Sequence, residues 1–479
     1  MARNILLLHA HDLGRFVGCY GVSTVQTPDL DAFARDATTF DLAFASAPHC
    51  SPARASLFTG TSPQHNGVLG LTHAPFAWDL REPRTHIAHR LHDVGYRTEL
   101  VGVHHESLVL DDEAVASRLG FDRVRTGGGR DLVVERAVEA LEGAAQDERP
   151  FYLQVGFHEP HRTPSRHDEP GVMGFLGEGF GPDDSRGVTV PAYLIDEDGS
   201  RREIAELQGA VRHMDEGVGS ILRRLGELGL SDDTVVVFTT DHGLPMPRAK
   251  CTLYDPGLEV ALLVRVPGRP AWVGRRVPDM VSHLDVVPTL LDLVGQPVPT
   301  DVEGQTLTQV VESSRPTSRF TFGHLSHHTY FDPKRSVRSA THKLVANFAN
   351  APKVMDPTQS WVHRSRPVDL AGSTVGTSPA FELYDLVADP LELTNLASEP
   401  ATAAIGNDLA TELLAWMRRV DDPLLDVSAR TTTGRHRLVL AGLESGCLTS
   451  TAGDGARPWN PDPTNDDSPD HESREMESA

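Results

Sequence analysis

Cysteine is scarce in this chain: four residues in 479, Cys19, Cys50, Cys251 and Cys447, with neither metal-ribbon nor disulfide-scaffold spacing. A fold stapled by disulfides is excluded, and a reduced, cytoplasmic setting is expected. Long hydrophobic runs are missing too. No window approaches the roughly 18 apolar residues of a membrane helix. The opening Met1-Ala2-Arg3-Asn4-Ile5-Leu6-Leu7-Leu8 is too short an apolar run for a secretory leader and reads as a first strand. Positive charge is the minority sign, 44 Lys and Arg against 67 Asp and Glu, for a formal net charge of -23. With no basic block to offset it, neither nucleic acid nor an anionic membrane is an expected partner, and an anionic substrate would need cations placed locally.

What is present is the composition of a globular α/β chain: 39% hydrophobic residues, mixed charge, 41 Gly and 34 Pro. The length exceeds one ordinary core and predicts a large domain with a smaller companion. Short apolar runs alternate with helix-like stretches, the pattern of a mostly parallel sheet with helices on both faces. The ends of those runs carry the chemistry. Ile5–Leu8 stops at His9-Ala10-His11-Asp12, Arg97–Val103 at His104-His105-Glu106, Phe151–Phe157 at His158-Glu159-Pro160-His161, and Thr234–Thr240 at Asp241-His242-Gly243. Open α/β sheets bind ligands beyond the carboxyl ends of their strands, so the four clusters are predicted to share one site. Any single cluster reads as polar residues leaving a strand into solvent; four together do not.

Ile204–Leu228 has helical period, with Leu207, Val211, Met214, Val218, Ile221 and Leu225 on one stripe. Between Pro164 and Pro191 a Gly/Asp-rich stretch predicts a long loop over the site rim. Beyond about Val311 the alternation weakens, and Ser336–Phe348 with Ala380–Leu386 predicts a smaller antiparallel unit. The expected organisation is a main domain over 1–310, a smaller C-terminal α+β unit over 311–448, and a disordered acidic tail over 449–479.

Cys50 opens Cys50-Ser51-Pro52-Ala53-Arg54. By itself this also fits a buried cysteine ahead of a helix, with Pro52 in the first turn. In its context, Ser46-Ala47-Pro48-His49-Cys50-Ser51-Pro52-Ala53-Arg54-Ala55-Ser56-Leu57-Phe58-Thr59-Gly60, it resembles the signature of the type I sulfatases, in which the cysteine is oxidised to formylglycine. Gln64-His65-Asn66-Gly67, Phe157-His158-Glu159-Pro160-His161-Arg162, Met214-Asp215-Glu216-Gly217-Val218-Gly219, Leu253-Tyr254-Asp255-Pro256-Gly257, Ser326-His327-His328, Arg335-Ser336-Val337-Arg338 and Glu382-Leu383-Tyr384-Asp385 extend the resemblance over nearly the whole chain. The His-His and Arg-Ser-Val-Arg segments look most like the sulfamidase (heparan N-sulfatase) branch.

The resemblance implies an alkaline-phosphatase-like fold and a formylglycine made from Cys50 by a formylglycine-generating enzyme. The hydrated aldehyde attacks sulfur beside a divalent metal, and its second hydroxyl expels sulfate. Arg54 would hold the diol. The metal shell carried over is His11, Asp12, Cys50, Asp241 and His242. The family usually has Asp-Asp and Asp-Asn where this chain has His11-Asp12 and Asp241-His242. Calcium is the family's metal, whereas a mixed nitrogen/oxygen shell favours Mn, Zn or Fe. His11 is either a ligand or a donor just behind the ligands. The family's Gly-Lys-x-His reads Gly102-Val103-His104-His105 here, so His105 keeps the histidine role, the lysine is absent, and His104 is the candidate to replace it. His161 matches the substrate-side histidine that protonates the leaving group or binds sulfate, and Lys250 the cation on the transferred group.

His327, His328, Arg335 and Arg338 are the candidate substrate contacts, arginine forks being suited to carboxylate or sulfate. The expected substrate is a small anionic sulfated sugar carrying a sulfate ester or a sulfamate; a homodimer stays open. Two alternatives remain: a phosphonate monoester or phosphodiester hydrolase on the same fold, to which Asp241-His242 also points, and a non-catalytic protein that binds sugar sulfates.

Overall fold

The computed structural model describes residues 4–108, 110–164, 173–177, 179–312, 319–355, 364–369, 376–428 and 433–448; the expected acidic tail lies outside them, as does part of the expected rim loop. The main sheet is built from β1 (Asn4–Ala10), β2 (Thr38–Phe44), β3 (Arg97–Gly102), β4 (Arg123–Thr126), β5 (Phe151–Gly156), β6 (Thr234–Thr240), β7 (Glu259–Val260), β8 (Leu262–Arg265) and β9 (Arg276–Ser282). Its order is β9-β2-β8-β6-β1-β5-β3-β4, with β7 on β2. The pairs β6-β1, β1-β5, β5-β3, β3-β4 and β9-β2 are parallel, and β8 runs antiparallel to both neighbours.

β1 is central, and every residue of its sequence NILLLHA is buried. Such unbroken apolar runs belong to strands covered on both faces. Ile5 and Leu7 enter one core with Tyr152, Val235 and Val237; Leu6 and Leu8 enter the other with Leu153, Val155, Val236 and Phe238. The first core is closed by α1 (Cys50–Thr59), whose Ala53, Ala55, Leu57 and Phe58 all lie within it. The second is closed by α2 (Asp198–Glu227), and its stripe from Leu207 to Leu225 is the one its 3.6-residue period predicts. Burial of each such side chain contributes about 1.5–3 kcal/mol.

The smaller unit is a four-stranded antiparallel sheet in sequential order, β10 (Thr321–His327), β11 (Phe331–Arg338), β12 (His342–Asn347) and β13 (Phe381–Asp385). One face takes α3 (Ala403–Arg419) through Val337, Leu344, Ala346, Leu409, Leu413 and Met417. The other face meets the main domain through Leu325 and Val345, packed with Phe44, Leu253, Leu258 and Met280. The His324 N–H donates to Ser46 O at 2.8 Å, tying β10 to the segment that leads into α1. Among the described residues no helix is long and apolar enough to cross a membrane.

Candidate active site

The parallel strands β1, β3, β5 and β6 end on the same edge, and their four polar clusters meet there. At the end of β1, Asp12 has left-handed backbone (φ 55), a conformation that non-glycine residues hold only where the surroundings impose it. The surroundings here are its own N–H, donating to Asp241 Oδ1 at 2.8 Å, and its carboxylate, which takes Lys250 Nζ at 2.9 and 2.8 Å. Asp241 Oδ1 also accepts the His242 N–H at 2.9 Å, so one carboxylate oxygen ties β1 to β6.

The spacing of Cys50 and Arg54 has a geometric reason. Residues i and i+4 of a helix lie on one face, and α1 starts at Cys50, which puts both on the face turned to the sheet edge. Arg54 Nε and Nη2 each lie 3.1 Å from Asp241 Oδ2, and Nη1 is 3.2 Å from His9 Nδ1. The helix stops at Gly60, whose φ of 71 suits the left-handed cap, with its N–H on Ser56 O.

Cys50, His11, Asp12, Asp241 and His242 are all buried and can each offer a ligand atom within 4.8 Å of the others. His11 Nε2 lies 3.3 Å from Asp241 Oδ2, and His242 Nε2 lies 3.0 Å from Asp12 Oδ1. His242 Nδ1 is 3.0 Å from Gly243 O, which fixes Nδ1 as the protonated nitrogen and turns Nε2 inward. Burial pushes Asp12 up, but Lys250, His161 and His242 together hold it well below the usual carboxylate range. His242 is driven down by burial and raised by Asp241 and Asp12, to about 10. His11 is held well below its ordinary value by burial and then by Arg54.

His105 and His161 flank this group. The Gly102 turn that ends β3 has φ 86, and a Cβ there would meet Gly156 O at 2.1 Å, so only glycine lets the chain turn toward the site. The His105 N–H donates to Glu106 Oε2 at 2.7 Å and its carbonyl accepts from Thr72 Oγ1 at 3.2 Å, which fixes the backbone of that corner. The rings of His105 and His11 are 5.6 Å apart, edge to face. His161 stacks on His11 at 4.3 Å, its Nδ1 lies 2.6 Å from Arg162 O, and its Nε2 faces Asp12 Oδ2 at 3.7 Å. Burial lowers His161 to about 4 despite Asp12.

The expected substrate contacts divide. His328 belongs to the site: its ring meets His49 edge to face at 5.7 Å, and burial followed by Lys250 and His242 lowers it to about 3. His327 stands at the rim, between Phe76 at 6.2 Å and Phe331 at 5.9 Å. Arg335 and Arg338 are committed to carboxylates of the protein itself. Arg335 is fully buried, its fork closed on Asp422 at 2.5 and 3.0 Å with further bonds to Leu325 O and Lys334 O. Arg338 grips Asp255 at 2.9–3.1 Å and lies over the Phe44 ring. Both hold the small sheet in place. His104 also departs from expectation: it is buried, and the charged group acting on it most is Glu106, which lies behind the site and accepts from Gln154.

Besides His9, which meets Arg54, three more histidines without a role assigned from the sequence stand around the site. His158 is 5.0 Å from His161, His73 is 6.1 Å from His105, and His49 precedes the nucleophile position. The His-x-x-His spacing at the end of β5 was the available signal for His158; for His73, in a loop far along the chain, there was none.

A mostly parallel sheet whose carboxyl edge gathers two aspartates and a ring of histidines, met there by Cys50 from α1 and by Lys250, is the architecture of a hydrolase of the alkaline-phosphatase-like fold. The chain belongs to the sulfatase family of sulfuric ester hydrolases: the family described as Sulfatase matches residues 3–296, and the one described as N-sulphoglucosamine sulphohydrolase, C-terminal, matches residues 247–356. It is 32% identical to human N-sulphoglucosamine sulphohydrolase over 461 residues, 88% of this chain and 91% of that protein. It is 26% identical to an ulvan-active sulfatase of Formosa agariphila, over 88% of this chain and 81% of the relative. Among solved structures, a protein in complex with its substrate D-glucosamine-2-N,6-O-disulfate shares the fold at TM-score 0.64 and 17% identity, covering 88% of this chain and 99% of that one. The phosphonate monoester hydrolase of Agrobacterium radiobacter does so at TM-score 0.60 and 20% identity, covering 87% and 96%.

Proposed function

We propose that this sulfatase hydrolyses the sulfate ester or sulfamate of an anionic sugar of the N-sulfoglucosamine type, with residue 50 as nucleophile after its oxidation to formylglycine. The observation that carries the reading is the convergence of Cys50 with His11, Asp12, Asp241 and His242 in one buried group, flanked by Arg54 and Lys250. The 32% identity to a sulphoglucosamine sulphohydrolase supports the sugar class.

The donor set fits a divalent cation. His11 Nε2 and His242 Nε2 are buried without hydrogen-bond partners, and each faces an aspartate oxygen, at 3.3 and 3.0 Å, as ligands gathered around one ion would. Asp12, Asp241, His11, His242 and residue 50 would hold it, and its charge would stabilise the anionic oxygens of the group being transferred. With two imidazoles in the set, Mn, Zn or Fe suits it better than calcium, which takes oxygen ligands. Formylglycine, as its hydrate, supplies one hydroxyl to attack sulfur and a second whose deprotonation releases sulfate.

The chain's own side chains do the rest. Arg54 positions residue 50 from one helical turn away and is itself oriented by Asp241. Lys250 offers its ammonium to the sulfate oxygens from above Asp12. His161, with Nδ1 tied to Arg162 O, points Nε2 into the site, where an arriving sulfate raises its proton affinity and lets it protonate the leaving oxygen or nitrogen. His328 and His327, on the small sheet, form the wall that meets the sugar. Without a lysine at Val103, Lys250 carries a larger share of the sulfate contact.

His242 favours a second reading, phosphonate monoester or phosphodiester hydrolysis, since it makes the shell less like that of an oxygen-only calcium site. A panel of N-sulfoglucosamine, aryl sulfates and phosphonate monoesters tests both: turnover of the sulfur substrates is expected, and turnover confined to phosphorus esters overturns the assignment. Peptide mass spectrometry of the Cys50 segment with a carbonyl-reactive probe tests the nucleophile. Conversion of thiol to aldehyde removes about 18 Da, and an active preparation that retains the thiol refutes the mechanism.

A further inference from the structure

His9 stands where an apolar side chain is expected. Side chains of a strand alternate between its faces, so His9 shares with Ile5 and Leu7 the face of β1 that α1 covers, and it is fully buried there. A buried polar residue in an apolar run calls for a reason. We propose that His9 is a positioning residue of the reaction, which locks the guanidinium of Arg54 in the orientation that serves residue 50.

The bonds of Arg54 show why a lock is needed. Nε and Nη2 both lie 3.1 Å from the same oxygen of Asp241, Oδ2. Two donors on one oxygen make a pivot; the fork that fixes a guanidinium needs two oxygens. His9 Nδ1, 3.2 Å from Nη1, supplies the second fixed point, on the nitrogen that Asp241 does not reach. Arginine only donates, so Nδ1 is the acceptor and the neutral ring carries its proton on Nε2. The one lone pair of the imidazole is spent on Arg54.

The surroundings of the ring keep it at this place. Phe58, one turn beyond Arg54 on α1, meets it edge to face at 5.4 Å. On β5 the residue paired with His9 is Gly156, where a Cβ would come within 2.6 Å of His9 Cε1, so the glycine leaves the imidazole its room. An apolar side chain at position 9 would satisfy the α1 core and leave Nη1 without its acceptor.

The inference rests on the formylglycine reading above, and the experiment separates the two. Full-length protein matured with a formylglycine-generating enzyme and loaded with Mn(II) is compared with three variants. His9→Leu and His9→Phe suit the apolar face and offer no acceptor, while His9→Asn places Oδ1 where Nδ1 stood. Rates with N-sulfoglucosamine or an aryl sulfate are divided by aldehyde content, and folding is checked by circular dichroism. The apolar variants are expected to lower kcat by about 10–100-fold with KM within about twofold of wild type, and His9→Asn to recover most of the loss. Apart from turnover, a carbonyl-reactive probe is expected to label residue 50 faster in the metal-free apolar variants than in wild type or His9→Asn, since a hydrate no longer held by Arg54 reverts to the aldehyde more readily. Wild-type protein without aldehyde, or without turnover of sulfur substrates, overturns the formylglycine reading and this inference with it. Wild-type kcat in either folded apolar variant, or a His9→Asn no better than they are, overturns the inference alone.

Discussion

Lys250 sets its ammonium 2.9 and 2.8 Å from the two carboxylate oxygens of Asp12, and both side chains are buried. Removing one partner of such a pair strands the other charge, at a cost of about 3–5 kcal/mol. Lys250→Met is therefore expected to destabilise the metal-free protein by about that amount, and the metal-loaded protein by less, because an ion on Asp12 takes over the compensation. Urea unfolding with and without Mn(II) measures the difference. Loss of a cation facing the transferred group lowers kcat by about 100-fold or more.

Arg335 and Arg338 make the opposite prediction. Arg335→Ala leaves Asp422 buried without its fork, and about 3–5 kcal/mol of stability is expected to go with it. The KM of the protein that remains folded stays at the wild-type value, as does that of Arg338→Lys. A rise in KM without loss of stability would return either residue to the substrate pocket.

Cys50→Ala is expected to abolish sulfatase turnover while leaving the fold intact, because the residue it replaces is small and sits at a helix start. Cys50→Ser retains one hydroxyl and no second, so it is expected to react at most once per molecule. Pre-steady-state product release distinguishes the two: none for alanine, a single equivalent at most for serine.

Asp255 sets an acid limit. Burial pushes its carboxyl up, but Lys343 and Arg338 hold it down at about 2. A carboxyl whose folded pKa lies below its unfolded one stabilises the fold at pH above the unfolded value near 4, and that stabilisation drains away as pH falls toward 2. Wild-type stability is expected to decline between about pH 4 and 2, and Asp255→Asn, less stable at neutral pH, shows a shallower decline. Chemical denaturation across that range gives both slopes.

The strand ends were legible in the sequence because parallel strands buried on both faces are unbroken apolar runs, and the residue at which a run breaks is the residue delivered to the site. The α2 stripe was legible for the same reason. Arg335 and Arg338 misled because sequence reports an arginine's charge but not the carboxylate waiting for it: Asp422 and Asp255 lie 87 and 83 residues away. His104 was ambiguous because the chain turns at Gly102, so strand alternation no longer says which of two adjacent residues faces the cleft. The histidine ring assembled from positions 11, 49, 73, 105, 158, 161, 242 and 328 depends on loop closure across most of the chain.

The wall that carries His327 and His328 is fastened at separate points, Arg335 to Asp422 toward α3 and Arg338 with Lys343 to Asp255 toward the main domain. Each fastening is a buried ion pair, which tolerates neither sliding nor partial opening. A cleft walled in this way has a fixed width, so any widening of its substrate range has to come from shortening side chains at the strand tips and not from moving the sheet.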